Sequence, residues 1–266
     1  MIRWDVDPQI LQIGFFQLRW YSLCFMISFA IGLYIFHWIY KHEKKPASDI
    51  DHLLVYMLLG TIIGARLGHC LFYDPVYYLS NPLLILKVWE GGLASHGAAV
   101  GILTALYFYC KKRKDQPYMW MLDRIVITVA LAGFFIRIGN LMNSEIIGKA
   151  ADVPWSFIFV RAEADPVPRH PAQLYEALAY LLIFFLLFYI YKKYKANLGR
   201  GLLFGLFLSL VFGARFFIEF LKEPQAAFEQ SLPLDMGQIL SIPLVLAGFY
   251  FIYMYLQNQK SVSADS

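Results

Sequence analysis

The stretch Arg137-Ile138-Gly139-Asn140-Leu141-Met142-Asn143-Ser144-Glu145-Ile146-Ile147-Gly148 decides how the chain is read. An apolar run from Leu122 to Ile136 leads straight into it and is long enough for the body of a membrane helix. An arginine, two asparagines and a glutamate follow within nine positions. Polar groups at membrane depth are costly, so a cluster of them points to a functional site. Helix capping is the rival account. It covers Gly148 and one asparagine, but not an arginine inside an apolar run.

Working outward, the whole chain of 266 residues is 59% hydrophobic and 16% charged, where soluble domains carry roughly 25% charged residues. Its mean hydropathy is +0.53. The expected class is an all-α integral membrane protein. Arg3, Asp5, Asp7 and Arg19 precede the first apolar run, and no small-residue cleavage site follows it. The first helix is therefore expected to act as its own insertion signal. Cys24, Cys70 and Cys110 lie in or beside apolar runs without metal or redox spacing. They read as small hydrophobes. No metal set and no cofactor motif is visible. The net charge of +4 is spread among loops, which is not a nucleic-acid signature.

A bilayer core of about 30 Å needs about 20 apolar residues at about 1.5 Å each. On that template the sequence predicts about seven transmembrane helices, over 15–40, 50–73, 93–110, 122–141, 171–191, 201–221 and 236–256. Residues 82–89 are too short to span and suit a re-entrant or interfacial segment. Without internal repeats, residues 1–266 read as a single membrane domain. Residues 142–170, with a strand-like Trp155–Phe159 and a proline-rich return at Asp165–Pro168, read as a small periplasmic cap between helices 4 and 5. Residues 257–266 read as a cytoplasmic tail. The loops after the first, third and fifth spans are the basic ones, with Lys41, Lys44 and Lys45, then Lys111–Lys114, then Lys192, Lys193, Lys195 and Arg200. The positive-inside rule places these in the cytoplasm, the N-terminus outside and the C-terminus inside.

That topology sorts the unusual polar residues. Tyr21, Arg66, His69, His96, Arg137, Asn140, Glu176, Arg215 and Glu219 all fall in the outer half of the bilayer. Snorkelling covers Tyr21 and Glu219, but serves Arg66 and Arg215 poorly, at roughly 10 Å from the outer end. Arg215 and Glu219 are four apart, and Arg66–His69 and Arg137–Asn140 three apart, so each pair shares a helix face. Gly60 and Gly64 form a small-xxx-small pair. Gly91, Gly92, Leu93, Ala94, Ser95 and Gly97 surround His96 with little bulk, which suits close approach of a ligand or a tight helix crossing.

Arginines in a dry outer-leaflet pocket imply a bound anion, because guanidinium stays charged and matches phosphate with two hydrogen bonds. The natural phosphate at that depth is a phospholipid head group. A neutral histidine could serve as a general base, its ordinary pKa being about 6.5. No serine-hydrolase elbow or phosphate-binding Walker loop is present.

At these residues the chain resembles the phosphatidylglycerol–prolipoprotein diacylglyceryl transferases of bacteria. The matching blocks are Arg19–Tyr21, Gly64–Gly68, Trp89–Gly97, Arg137–Gly148, Arg169–Glu176, Arg215–Phe220 and Met236–Ser241. The resemblance implies transfer of a diacylglyceryl group from phosphatidylglycerol to the lipobox cysteine thiol of a prolipoprotein in the inner membrane. A thioether forms and glycerol phosphate leaves, without a cofactor. It implies His96, Arg137 and Arg215 as catalytic residues. Arg137, Asn140, Asn143, Glu145, Gly148, Tyr21, Arg66, Glu176 and Glu219 would bind substrate. The chain departs from the family pattern at Ile136, Ser95, Val211, His69 and Ser22, which leaves open whether His69 shares the base's role. The competing readings are an anionic-phospholipid transporter, which should show a polar path through both leaflets or an inverted repeat, and a lipid-binding paralogue without turnover.

Overall fold

The computed structural model describes residues 1–14, 16–224 and 233–264. Helices dominate it because long apolar segments can satisfy their backbone groups internally in lipid only as helices. Strands β1 (Ile2–Trp4), β2 (Gln9–Ile13) and β3 (Phe16–Arg19) come first, then α1 (Trp20–His42), α2 (Ser48–Phe72) and α3 (Pro75–Ser80). Helices α4 (Ser95–Lys112) and α5 (Tyr118–Met142) follow, then β4 (Phe157–Phe159) and β5 (Pro168–Arg169). Helices α6 (Ala172–Tyr194), α7 (Leu202–Glu219) and α8 (Met236–Ala264) complete the order.

Among the described residues six helices are long and apolar enough to cross a membrane: α1, α2, α5, α6, α7 and the Met236–Gln259 part of α8. The expected third span is α4. Ser95 and His96 at one end and Lys111 and Lys112 at the other make its 18 residues more polar than the rest. Beside the helices the described residues form five short strands, and β4 falls in the stretch expected to be strand-like while the other four were not foreseen. The expected first span also begins too early. Its first residue, Phe15, lies outside the described residues, and Phe16–Arg19 is strand, paired antiparallel with Gln9–Ile13 through a turn with Gly14 at φ +59°. The helix starts at Trp20, whose N–H donates to the Pro8 carbonyl at 3.1 Å. At the other end α8 stays helical through most of the expected tail, and residues 265–266 lie outside the described ones.

The chain divides into two compact units, Phe36–Met121 and the combination of Met1–Ile35 with Leu122–Ser266. In the first of these, α2 and α4 lie backbone to backbone. A Cβ on Gly64 would stand 2.4 Å from the Gly97 carbonyl oxygen, and one on Gly101 would stand 2.1 Å from that of Gly60. The small-xxx-small pair thus seats α4. At the far end of the same helices Gln116, fully buried, accepts from the Tyr40 and Tyr109 hydroxyls at 2.8 and 2.9 Å. It donates to Asp49 at 2.7 Å, and Arg113 pairs with the other Asp49 oxygen at 2.8 Å.

In the second unit a small sheet sits at the end of α5. β1 pairs parallel with β4, and β4 antiparallel with β5. Leu141, Phe157 and Phe159 form its core, with Trp4, Ile147 and Leu174 packed against it. Trp4 Nε1 donates to the Leu141 carbonyl at 2.9 Å, satisfying one carbonyl of the helix's last turn. The Arg169 guanidinium, tied to Glu163 and Glu223 and to the Gly148 carbonyl, holds the returning strand. Those carboxylates, Glu163 first, raise its pKa above the ordinary value. Within the run read as apolar, Asp123 and Arg124 are fully buried. Asp123 accepts from the Gly201 and Phe204 N–H groups at 2.6 and 2.9 Å, capping the start of α7. Arg124 lies over the Tyr191 ring.

Candidate functional site

The Arg137–Gly148 stretch begins as helix and ends as a folded turn. α5 carries Arg137 and Asn140 on its last turns. The chain then doubles back, with Asn143 N–H on the Gly139 carbonyl and Glu145 N–H on that of Asn140. Ser144 and Ile146 take φ of +53° and +58°. A β-branched residue is rarely left-handed, so the contacts around Ile146 must hold the turn. Gly148 supplies them. Its N–H donates to the His170 carbonyl at 3.0 Å, and Lys149 N–H to that of Leu221 at 2.8 Å. A Cβ on Gly148 would meet the His170 carbonyl oxygen at 2.5 Å and that of Leu221 at 2.8 Å, so no larger residue allows this three-way junction.

Side chains from α5, α6 and the end of α7 meet beside this turn. Arg137 NH1 donates to Asn140 Oδ1 at 3.1 Å. Asn140 Nδ2 and Asn143 Nδ2 both donate to the Glu145 carboxylate at 3.1 Å, and Gln173 donates to its main-chain carbonyl. Arg137 Nε stands 2.8 Å from Glu176 Oε2. Glu176, fully buried, also receives the Lys222 ammonium at 3.0 Å and the Tyr180 hydroxyl at 3.4 Å on Oε1. Lys222 donates to Glu219 Oε2 at 2.9 Å, and Arg215 Nε lies 3.9 Å from that same oxygen. The charges alternate along the chain Arg137–Glu176–Lys222–Glu219–Arg215. The Tyr21 ring packs on α5 at Gly139, where a Cβ would come within 2.8 Å of it.

The structure brings Tyr21, Arg137, Asn140, Asn143, Glu145, Gly148, Glu176, Arg215 and Glu219 into one neighbourhood. It adds Lys222, Tyr180 and Gln173. Lys222 follows Glu219 by three, past the last residue of α7. Tyr180 follows Glu176 by four and so shares its helix face.

Arg66, His69 and His96 belong to the other unit. Arg66 Nε donates to the Ile85 carbonyl at 2.9 Å, NH1 to those of Gly91 and Gly92, and NH2 to that of Leu84 at 2.5 Å. Its guanidinium lies 5.1 Å from the centre of the Tyr78 ring. The 3₁₀ turns Pro82–Leu86 and Val88–Glu90 and the Gly91–Gly92 corner are thereby fixed to α2. Gly92, at φ +68°, presses on His69, where a Cβ would stand 2.6 Å from Nε2. His96 is exposed on the first turn of α4, edge-on to Phe72 and near Tyr73, whose ring also stacks on His69. Among the described residues no three His, Cys, Asp or Glu side chains group as metal ligands.

Long apolar helices carrying a largely buried, charge-alternating cluster define the class: a multi-pass membrane protein. The chain belongs to the prolipoprotein diacylglyceryl transferase family, whose sequence model matches residues 8–254. Relatives named phosphatidylglycerol–prolipoprotein diacylglyceryl transferase occur in Chloroherpeton thalassium (52% identical, covering 97% of this chain and 96% of the relative) and Tolumonas auensis (46%, covering 96% and 97%). The relative in Bacteroides fragilis is 44% identical, with 98% of this chain and 97% of its own length covered.

Proposed function

We propose that the chain transfers the diacylglyceryl group of phosphatidylglycerol to the lipobox cysteine thiol of a prolipoprotein. Family membership and relatives of nearly equal length support the transferase activity. The observation that carries the site is Arg215, which is 34% exposed and tied to Glu219 only at 3.9 Å. It can take an incoming phosphate without first breaking a close ion pair. Arg137 and Arg215 hold that phosphate, and Asn140, Asn143 and Glu145 shape the head-group site at the turn that Gly148 closes. Glu176 and Glu219 orient the arginines, and Tyr21 packs beside them.

The sulfur forms a bond to the glycerol carbon that bears the phosphate. The carbon–oxygen bond breaks, and its electron pair leaves on glycerol phosphate, where the arginines stabilise it. The thiol, of ordinary pKa about 8.5, gives up its proton. His96 assists that loss, an effect commonly worth about 10²–10⁴-fold, and Arg66 holds the loop that leads into it.

In the membrane α4 is the third of seven crossings of one domain, with the N-terminus outside, the C-terminus cytoplasmic and the 142–170 cap outside. The basic loops support that orientation and placement in the bacterial inner membrane. The test is purified protein with phosphatidylglycerol and a lipobox peptide, read by mass. A peptide gaining one diacylglyceryl group on cysteine is expected. Lipid movement between leaflets with unmodified peptide would favour a transporter instead.

A further inference from the structure

We infer that Lys222 is a positioning residue for the donor lipid: it occupies the two carboxylates that would otherwise clamp Arg137 and Arg215. The inference rests on the phosphate role given to those arginines above.

Lys222 lies just past the end of α7 and is 1% exposed. Its place is set by backbone, since Gly148 and Lys222 form a β-bridge and Glu223 N–H donates to the Ile147 carbonyl at 3.2 Å. The signature turn therefore fixes where this ammonium stands. Around it, Glu176 divides its carboxylate, Oε1 toward Lys222 at 3.0 Å and Oε2 toward Arg137 at 2.8 Å. Glu219 gives one oxygen to both of its cations, with Lys222 at 2.9 Å and Arg215 at 3.9 Å. The Gly237 backbone sits against the Glu219 carboxylate, where a Cβ would stand 2.4 Å from its carbon, so α8 limits its swing.

A carboxylate beside an arginine normally takes it through two parallel hydrogen bonds, the same edge that phosphate needs. Neither glutamate does so here. Lys has compact charge and no planar fork, so it neutralises both carboxylates without competing for the phosphate. Without it, Glu219 is expected to close on Arg215 in the two-bond geometry, and the lipid would have to displace it.

The test is steady-state transfer with phosphatidylglycerol and peptide varied separately, beside lipid binding by the same purified protein and a thermal-unfolding scan. Lys222→Met should raise KM for phosphatidylglycerol about tenfold and leave KM for the peptide within about twofold. Lys222→Arg should keep most of the lipid affinity. Lys222→Met with Glu219→Gln should return KM for the lipid to within about threefold of wild type, since the competing carboxylate is gone. A purely structural lysine would change both KM values together or neither. A folded Lys222→Met protein with wild-type KM for phosphatidylglycerol overturns the inference. If that variant does not fold, the double variant decides: a lipid KM raised about tenfold there overturns it equally. A wild type that binds the lipid and forms no product counts against the transferase reading alone.

Discussion

Arg66, buried, and Arg137, part-buried, both stand on long apolar helices, and their neighbours answer them in opposite ways. Arg66 is met by main-chain carbonyls of Leu84, Ile85, Gly91 and Gly92. Arg137 is met by a carboxylate and an amide oxygen. Carbonyls are neutral and belong to the fold, so Arg66 shapes a loop. Carboxylates bring full charge, and a row of alternating charges can exchange one anion for another. A substrate phosphate is such an anion. One arginine is held by the fold's own carbonyls and the other by charged side chains, although both stand near glycines in apolar runs of the sequence.

The largest effect that would sharpen this contrast is expected at His96, on the first turn of α4 just past the loop that Arg66 holds. His96→Gln should lower the transfer rate about 10²-fold, with KM for phosphatidylglycerol nearly unmoved, because a proton-transfer group acts on rate more than on binding. A change confined to lipid KM would place His96 among the head-group residues instead.

Next comes Arg66→Lys. It keeps the charge but cannot reach four carbonyls, and should cost about 2 kcal/mol of stability, seen as a lower unfolding temperature. Lipid KM should stay within a few-fold of wild type. Unchanged stability with a large rise in lipid KM would erase the distinction between the two arginines.

The smallest effect is expected at the exposed Arg161, which pairs with Asp5 and Asp7 at 2.9 and 3.0 Å. Arg161→Ala should leave the unfolding temperature unchanged at neutral pH, as exposed pairs contribute little. The Asp7 carboxyl is held below its ordinary value, first by the Gln9 N–H and also by Arg161. A depressed carboxyl helps the fold above its ordinary pKa and loses that help as pH falls through its lowered one. Any difference between Arg161→Ala and wild type should therefore narrow in acid. A difference that widens in acid would contradict that linkage.

The helices were legible because bilayer thickness dictates the length of apolar runs. The start of α1 was not, since Phe16 and Leu18 are as apolar as the helix they precede, and only pairing with Gln9–Ile13 makes them strand. That polar residues of α1, α5, α6 and α7 gather at one end of their helices could be foreseen from the alternating direction of the spans. Lys222 could not, because a lysine beyond a helix end normally belongs to water; the bridge to Gly148 puts it in the protein. Asp123 was hidden for a related reason. Its partners are main-chain N–H groups at the start of α7, which carry no mark in sequence. The destination of Arg66 was hidden in the same way, among carbonyls.

The account stands most directly on the transfer assay applied to Arg137→Ala, with phosphatidylglycerol, a lipobox peptide and mass detection of the added diacylglyceryl group. It predicts no modified peptide from a variant that still folds. Modified peptide formed at the wild-type rate would contradict the assignment of the Arg137 cluster as the place where the phosphate is held.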